Sequence, residues 1–438
     1  MIELLNQKMV VVSAYIMMLL SVVLSPFLGS VAIIFAVVIF CISCFFLNYQ
    51  YAYVLLFGMF PFANIFKLDP SSFSMITLCE VILCAVVLIE KFILQKNLKI
   101  NFRFFISLVL MCIAIFLFSV NTFSLSLFLK LIVKTLLIFY FFNNRNDFKL
   151  KEQTFIWITF ALSIGMIVMM FVSRSPYYFD SVIDYLRVVK YDSESDLIRN
   201  SGLMIDPNYC SIAIIITVSV LAVNYYFEKI NLSFWLLSIP LFLIGFTTYS
   251  KSYFLCAIIF LFFFSAIVLF PTHKSFLLCF VIVVAVFLVL AFRGKIDAIN
   301  LVMARFKEGD LTTGRSYLNQ VYIDYIISDM KVLLFGEGYS VAELSWTNNV
   351  HNLYIETLFK LGIVGTILYI LLIKSCFPPI KKKIKAIVLL PVFFAIVMYA
   401  ALAGLASYEL MYYIIICGSA ICFTDNYQRD TKLTEEIS

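Results

Sequence analysis

Charge is scarce in this chain. Of 438 residues only 13% are Asp, Glu, Lys or Arg, while 63% are hydrophobic, and the mean hydropathy is +1.03. A soluble domain carries about a quarter charged residues and roughly half apolar ones, so a water-soluble globule is excluded and an integral membrane protein is implied. Histidine is down to two residues, His273 and His351, and the sequence has no carboxylate or histidine cluster spaced to hold a metal. The two long polar stretches, 173–208 and 293–352, contain no cysteine, which excludes a disulfide framework there. The eleven cysteines lie nearly all inside apolar runs and read as core filler. Cys41-Ile42-Ser43-Cys44 has the CxxC spacing but sits in mid-run without a nearby histidine. Polar and apolar residues do not alternate along the runs, so a membrane barrel is excluded as well.

What is present is a series of continuous apolar runs of about 16 to 21 residues, each close to the length that crosses roughly 30 Å of hydrocarbon. They predict an all-α polytopic membrane helix bundle with about fourteen spans: 9–24, 27–47, 51–66, 73–94, 104–120, 125–142, 153–172, 209–227, 231–249, 253–270, 275–292, 353–373, 386–402 and 408–423. The first run follows Met1 to Lys8, with one lysine, and lacks a small-residue cleavage site, so it reads as a retained helix. The organisation is an N-terminal bundle (1–172), a first loop (173–208), central spans (209–292), a large loop (293–352), C-terminal spans (353–423) and a tail (424–438).

Basic residues assign the sides. Lys96, Lys99 and Arg103, then Arg145, Lys149 and Lys151, then Lys374, Lys381, Lys382, Lys383 and Lys385 fall in short loops of the same parity, which should be cytoplasmic together with both termini. The net charge of +6 is therefore topological and is no nucleic-acid signal. Both long loops then lie outside the cytoplasm, and both are basic, with Arg174, Arg187, Lys190 and Arg199 in one and Arg293, Lys295, Arg305, Lys307, Arg315 and Lys331 in the other. That departs from the usual charge bias and predicts an anionic target.

Local signals predict structure in both loops. Asp180-Ser181 can cap a short helix bearing Ile183, Leu186 and Val189, and Asp206-Pro207 reads as cap and first helical position of the next span. Thr312-Thr313-Gly314-Arg315 precedes helically spaced Tyr317, Val321, Tyr322, Tyr325 and Ile326, with Gly336-Glu337-Gly338 as its end. Arg315 in a first turn, and Arg199 ahead of the helix at Asp206, are each placed to clamp phosphate oxygens, although lipid-headgroup contact explains a basic loop residue equally. His351, at the start of an apolar helix, suits a general base or a substrate hydrogen bond, or else an interfacial cap beside Asn349 and Asn352. Glu356 and Lys360 are spaced as an i,i+4 pair. Lys130 and Lys134 share a face of the sixth span and Glu80 lies in the fourth. Charges in hydrocarbon pair, snorkel or meet a lipid phosphate.

Four segments together resemble the O-antigen polymerase and ligase superfamily, the bacterial Wzy-type proteins of surface polysaccharide assembly. They are Arg199-Asn-Ser-Gly202-Leu-Met-Ile-Asp206-Pro207-Asn208, Thr313-Gly314-Arg315, Phe335-Gly336-Glu337-Gly338, and His351-Asn352-Leu-Tyr-Ile-Glu356 on to Gly362-Ile-Val-Gly365. The resemblance covers nearly the whole chain in hydropathy. One departure is Thr248-Tyr249-Ser250-Lys251-Ser252, where many relatives carry Ser-Arg; lysine keeps the charge and loses the bidentate fork. The resemblance implies a GT-C-like bundle in the bacterial inner membrane, without cofactor. It also implies glycosyl transfer at the outer leaflet from an undecaprenyl-pyrophosphate-linked oligosaccharide. Arg199, Arg315 and His351 would be catalytic, and Asp206, Asn208, Lys251, Asn352, Glu356, Lys130 and Lys134 would bind substrate. Trp346 and Tyr339 are candidates to stack on sugar. Membrane lipid, a chain-length regulator and a flippase are the implied partners. A ligase of the same superfamily, passing finished glycan to a lipid, wall polymer or protein, is barely separable by sequence. A lipid-linked oligosaccharide flippase would call for inverted repeats and mid-bilayer charge, for which only Lys130 and Lys134 speak.

Reporter fusions test the assigned sides. Alkaline phosphatase fused after Asp310 is expected to be active and the same fusion after Lys383 inactive; the opposite pattern would invert the topology.

Overall fold

The computed structural model describes residues 2–63, 74–90, 101–119, 122–143, 148–173, 189–192, 197–200, 202–204, 207–227, 230–269, 315–341, 344, 350–378, 384–400 and 411–422. Helices dominate. In chain order they are α1 (Ile2–Val23), α2 (Ser25–Leu28), α3 (Ser30–Phe46), α4 (Tyr49–Met59), α5 (Met75–Ile89), α6 (Phe102–Phe118), α7 (Leu125–Asn143) and α8 (Phe148–Val172). A hairpin of β1 (Val189–Asp192) and β2 (Leu197–Asn200) separates these from α9 (Pro207–Tyr226), α10 (Leu232–Phe246) and α11 (Lys251–Phe264). Then follow α12 (Arg315–Ser328), α13 (Met330–Phe335), α14 (Leu353–Ser375), α15 (Leu389–Tyr399) and α16 (Met411–Cys422).

Each expected span coincides with a described helix except 275–292, which lies outside the described residues. Five helical stretches, 125–143, 153–172, 207–226, 251–268 and 353–375, are long and apolar enough by themselves to cross a membrane. Large apolar side chains stand exposed on the outside of the bundle, among them Phe45, Phe102, Phe116 and Phe262. Such a surface is stable only against hydrocarbon.

Two helices are buried on every side. All of α4 is buried, as is nearly all of α9, which matches sequences apolar around the whole helix circumference. Small residues let α4 reach α8, because a Cβ on Gly165 would stand 2.4 Å from the Gly58 carbonyl oxygen. Tyr15 of α1 closes this junction by donating its hydroxyl to the Ala161 carbonyl at 2.7 Å.

The first loop differs from the expected short helix. Residues 180–188 lie outside the described residues, and Val189, expected on the helix face, stands in β1 instead. The β1 sequence Val-Lys-Tyr-Asp alternates a β-branched and an aromatic residue with polar ones, a strand pattern that antiparallel pairing with β2 stabilises. After β2, Gly202 takes φ +59°, where a Cβ would stand 2.6 Å from Met169 Cε. Only glycine lets the chain fold so closely onto the end of α8, and Leu203 and Met204 then enter the core.

The second loop is two helices and not one run to Gly336. α12 stops at Ser328, and the Asp329 carboxylate accepts the Lys331 N–H at 2.8 Å to start α13. Tyr322 and Ile326 of α12, Val332 of α13, and Leu344, Val350 and Phe359 form a second, smaller core. Through Tyr322 and Ile326, α12 is packed on protein.

α14 is broken. Gly362 has φ +61° and ψ −173° inside it, so the helix falls into two halves, named outer (before Gly362) and inner (after it) for the sides expected from the sequence. A break frees carbonyls of the preceding turn, and each polar backbone group left unpaired in a membrane costs several kcal/mol. Here the Glu337 N–H donates to the Phe359 carbonyl at 2.8 Å, and the Gly338 N–H donates to the Lys360 carbonyl at 3.2 Å. The approach is close enough that a Cβ on Gly336 would lie 2.4 Å from the Lys360 oxygen, and one on Gly362 would lie 2.4 Å from the Leu334 carbonyl carbon.

Gly336→Ala and Gly362→Ala are each expected to lower stability by about 2 kcal/mol or more, since each combines a positive φ with a backbone clash. Because they meet at one junction, the double variant should lose less than the sum of the two. Thermal unfolding in detergent measures both; additive losses would mean the two sites are independent.

Candidate functional site

Three helix starts meet at one end of the bundle. Pro207 opens α9, as the Asp206-Pro207 pair predicts, with Asn208 and Tyr209 in its first turn; Asp206 itself lies outside the described residues. Ser250 caps α11, its hydroxyl accepting the Tyr253 N–H at 3.3 Å and donating to Asn208 Oδ1 at 2.8 Å. Asn352 caps α14, its Oδ1 accepting from the N–H groups of Tyr354 at 3.1 Å and Ile355 at 3.4 Å. His351 precedes that cap, with Nδ1 3.5 Å from the Tyr209 hydroxyl. The Pro207-Asn208-Tyr209 segment, the Ser250-Lys251 segment and the His351-Asn352 segment, far apart in sequence, therefore come together.

Its electrostatics follow from the helix starts. N–H groups of three first turns carry partial positive charge at the same place, a setting that favours an anion. Backbone at the site is strained: Tyr249, just before the Ser250 cap, has φ 46°, rare for a bulky residue.

The imidazole can act in two ways, set by its tautomer. If Nδ1–H donates to the Tyr209 oxygen, Nε2 holds a lone pair and can take a proton. If the Tyr209 hydroxyl donates to Nδ1, Nε2 carries the hydrogen and donates to a ligand oxygen instead. Tyr209 was not among the residues singled out in the sequence, although it directly follows the Asp-Pro-Asn motif.

The other predicted residues are placed differently. Glu356 and Lys360 form the i,i+4 pair at 2.5 Å, both buried beneath the cap, so the Glu356 carboxylate holds Lys360 in the outer half of α14. Lys251 opens α11 beside the site, and its neighbour Ser250 donates to Asn208. Lys134 is buried in α7, and Lys130, one turn earlier, lies within the electrostatic reach of Glu80 on α5, the pairing expected for intramembrane charges. Arg199 stands in β2 directly across the ladder from Lys190. Arg315 is the first residue of α12, half-exposed. Seven residues, about 10 Å of helix, separate it from Tyr322, where α12 is fixed against Phe359 by an edge-on ring contact at 5.1 Å. Arg315 thus lies on the element beside α14, and no described contact carries it to His351. Tyr339 is 2% exposed in the main core, which corrects the idea that its ring stacks on sugar; Trp346 lies outside the described residues.

A second shell of polar contacts seats the 335–341 segment. The Tyr339 N–H donates to Ser119 Oγ at 2.8 Å and the Ser124 N–H donates to Ser340 Oγ at 2.9 Å, tying it to the turn between α6 and α7. The Tyr325 hydroxyl donates to the Glu337 carboxylate. That hydrogen bond, with burial and the carboxylate charge behind it, pushes the Tyr325 hydroxyl up to about 12, so it stays a donor throughout the physiological range.

Ser250→Ala and Asn352→Ala each remove a helix cap and are expected to cost about 1 kcal/mol. The Ser250 change should cost more, since it also leaves Asn208 Oδ1 without that donor in a part-buried place. Thermal shifts of the two variants check the order; equal shifts would mean the Asn208 bond adds nothing.

No curated protein matches the sequence. Residues 232–370 match the family model for O-antigen ligase, Wzy_C. The matched region runs from α10 through Ser250-Lys251, α12 and α13 to the inner half of α14, and so takes in Arg315, the Gly336-Glu337-Gly338 segment and His351. With the apolar helices, that match over about a third of the chain supports a multi-pass membrane protein and a glycan-transferring enzyme similar to the Wzy-type O-antigen polymerase and ligase superfamily.

Proposed function

We propose that the protein is a polysaccharide polymerase, moving a growing glycan from undecaprenyl pyrophosphate onto a lipid-linked repeat unit at the outer leaflet of the cytoplasmic membrane. The observation that carries this reading is the union of Asn208, Ser250 and His351 through Tyr209 at three helix starts. A pyrophosphate needs clustered N–H groups and cations, and a sugar hydroxyl needs a base; the three helix starts, Lys251 and His351 offer the first elements of both.

In the reaction the acceptor hydroxyl oxygen bonds to the anomeric carbon of the donor sugar while the bond from that carbon to the pyrophosphate oxygen breaks. The electron pair leaves on the pyrophosphate, still attached to its lipid. His351 Nε2 takes the hydroxyl proton when Nδ1–H is held by Tyr209. Arg199 and Arg315, from the two basic loops, bind and stabilise the leaving pyrophosphate, with Asp206, Asn208, Lys251 and Asn352 around it. The distribution of basic residues over the short loops supports an extracytoplasmic position for this end. The description of the matched family favours a second reading, a ligase that transfers finished glycan to a different acceptor.

Deleting the protein in its host and analysing lipid-linked intermediates separates the readings. Single repeat units accumulating on lipid support the polymerase, long chains stranded on lipid support the ligase, and intermediates trapped on the cytoplasmic side would sink both. His351→Ala and Arg315→Ala should each reduce chain synthesis by about a hundredfold or more at normal protein level; normal synthesis in either variant removes that residue from the mechanism.

A further inference from the structure

A cleft of about 930 Å³ opens between α6, α14, α15 and α16, away from the site described above. Its long wall is apolar and runs along α16 from Tyr413 to Cys422. Nine residues of helix give it about 14 Å of depth, close to the thickness of one leaflet of hydrocarbon, roughly 15 Å. At one end it carries Arg103, from the first turn of α6, and Lys374, from the last turn of α14. Asn101, Ser107 and Ser375 add polar groups beside them, and no acidic residue is among the described lining residues. Both cations are exposed, and neither has an ion-pair partner among the described residues.

The charged end is remote from His351. Lys374 lies twelve residues beyond the break at Gly362, about 18 Å further along the inner half of α14. The same end is fixed by Asn143, the last residue of α7, whose side-chain amide donates to the Cys376 carbonyl at 2.8 Å. A lipid with its phosphate between Arg103 and Lys374 therefore hangs from the leaflet opposite the one that the site faces. A glycan carrier whose pyrophosphate is at His351 would have to enter with the reverse polarity.

We propose that this cleft binds an anionic phospholipid of the cytoplasmic leaflet, with its acyl chains against α16 and its phosphate held by Arg103 and Lys374. Two cations at headgroup level above a leaflet-deep apolar wall complement such a molecule in both charge and length. The bound lipid fills the gap that separates α6 and the inner half of α14 from α15 and α16. The proposal stands independently of which glycan acceptor the protein uses.

Full-length protein in nanodiscs of equal parts phosphatidylglycerol and phosphatidylcholine, released into native mass spectrometry, provides the test. The wild type is expected to retain phosphatidylglycerol over phosphatidylcholine by about tenfold or more. Arg103→Gln combined with Lys374→Gln should bring that ratio close to one, and Ser107→Trp, which fills the cleft beside the cations, should reduce retention of both lipids. Because Arg103 and Lys374 are exposed, the double variant should stay monodisperse, so its ratio reports on binding even if the tryptophan variant misfolds. Equal retention of the two lipids by wild type, or an unchanged ratio in the double variant, would overturn the proposal. Preferential retention of an isoprenyl phosphate added to the same nanodiscs would overturn it too, and would assign the cleft to the glycan carrier.

Discussion

Two main-chain hydrogen bonds hold this architecture together, those from Glu337 and Gly338 to the carbonyls of Phe359 and Lys360. Without them α14 could not break at Gly362 inside a membrane protein, because freed carbonyls have no water to turn to. With them, the outer half of α14 becomes a separate short helix that joins α12 and α13 in a small core of its own, centred on Phe359 and Tyr322. The inner half is left free to line the lipid-facing bundle against α6. The break is thus the line at which the main helix bundle gives way to the smaller core.

The site gains its geometry from helix starts. Ser250 and Asn352 stand just before a first turn, where their side-chain oxygens accept N–H groups that a helix cannot pair for itself, and Asn208, in the first turn of α9, accepts the Ser250 hydroxyl. His351 is carried on this framework, so its position depends on the caps and on the buried Glu356–Lys360 pair beneath them. These residues connect three remote segments by short bonds and not by a long loop. That explains why so much of the polar inventory of an apolar chain gathers at one place.

Much of this was legible in the sequence because its causes are local. Apolar length gives spans, Pro207 reads as a first helical position, and Glu356 and Lys360 pair at a spacing fixed by the helix itself. What escaped depends on partners far along the chain. Gly362 looks like any helical glycine until the 334–338 segment is laid across it, and Tyr209 is one more aromatic until His351 arrives from 142 residues away. Val189 suits either a helix face or a strand, and only pairing with β2 decides between them. Lys251 drew attention by its charge, while its neighbour Ser250 makes the contact, because capping rewards a short hydroxyl over a long cation. Tyr339 was misjudged for the same reason: an aromatic in a polar stretch looks solvent-facing, but Ser119 draws its backbone inward.

The attachment of the 335–341 segment to broken α14 is made by backbone atoms, so it specifies glycine at 336 and 338 and little about the side chains between and around them. An anchor of that kind leaves the flanking surface open to sequence drift. Side chains around the anchor can therefore change while the break at Gly362, and the helix start that carries His351, keep their places.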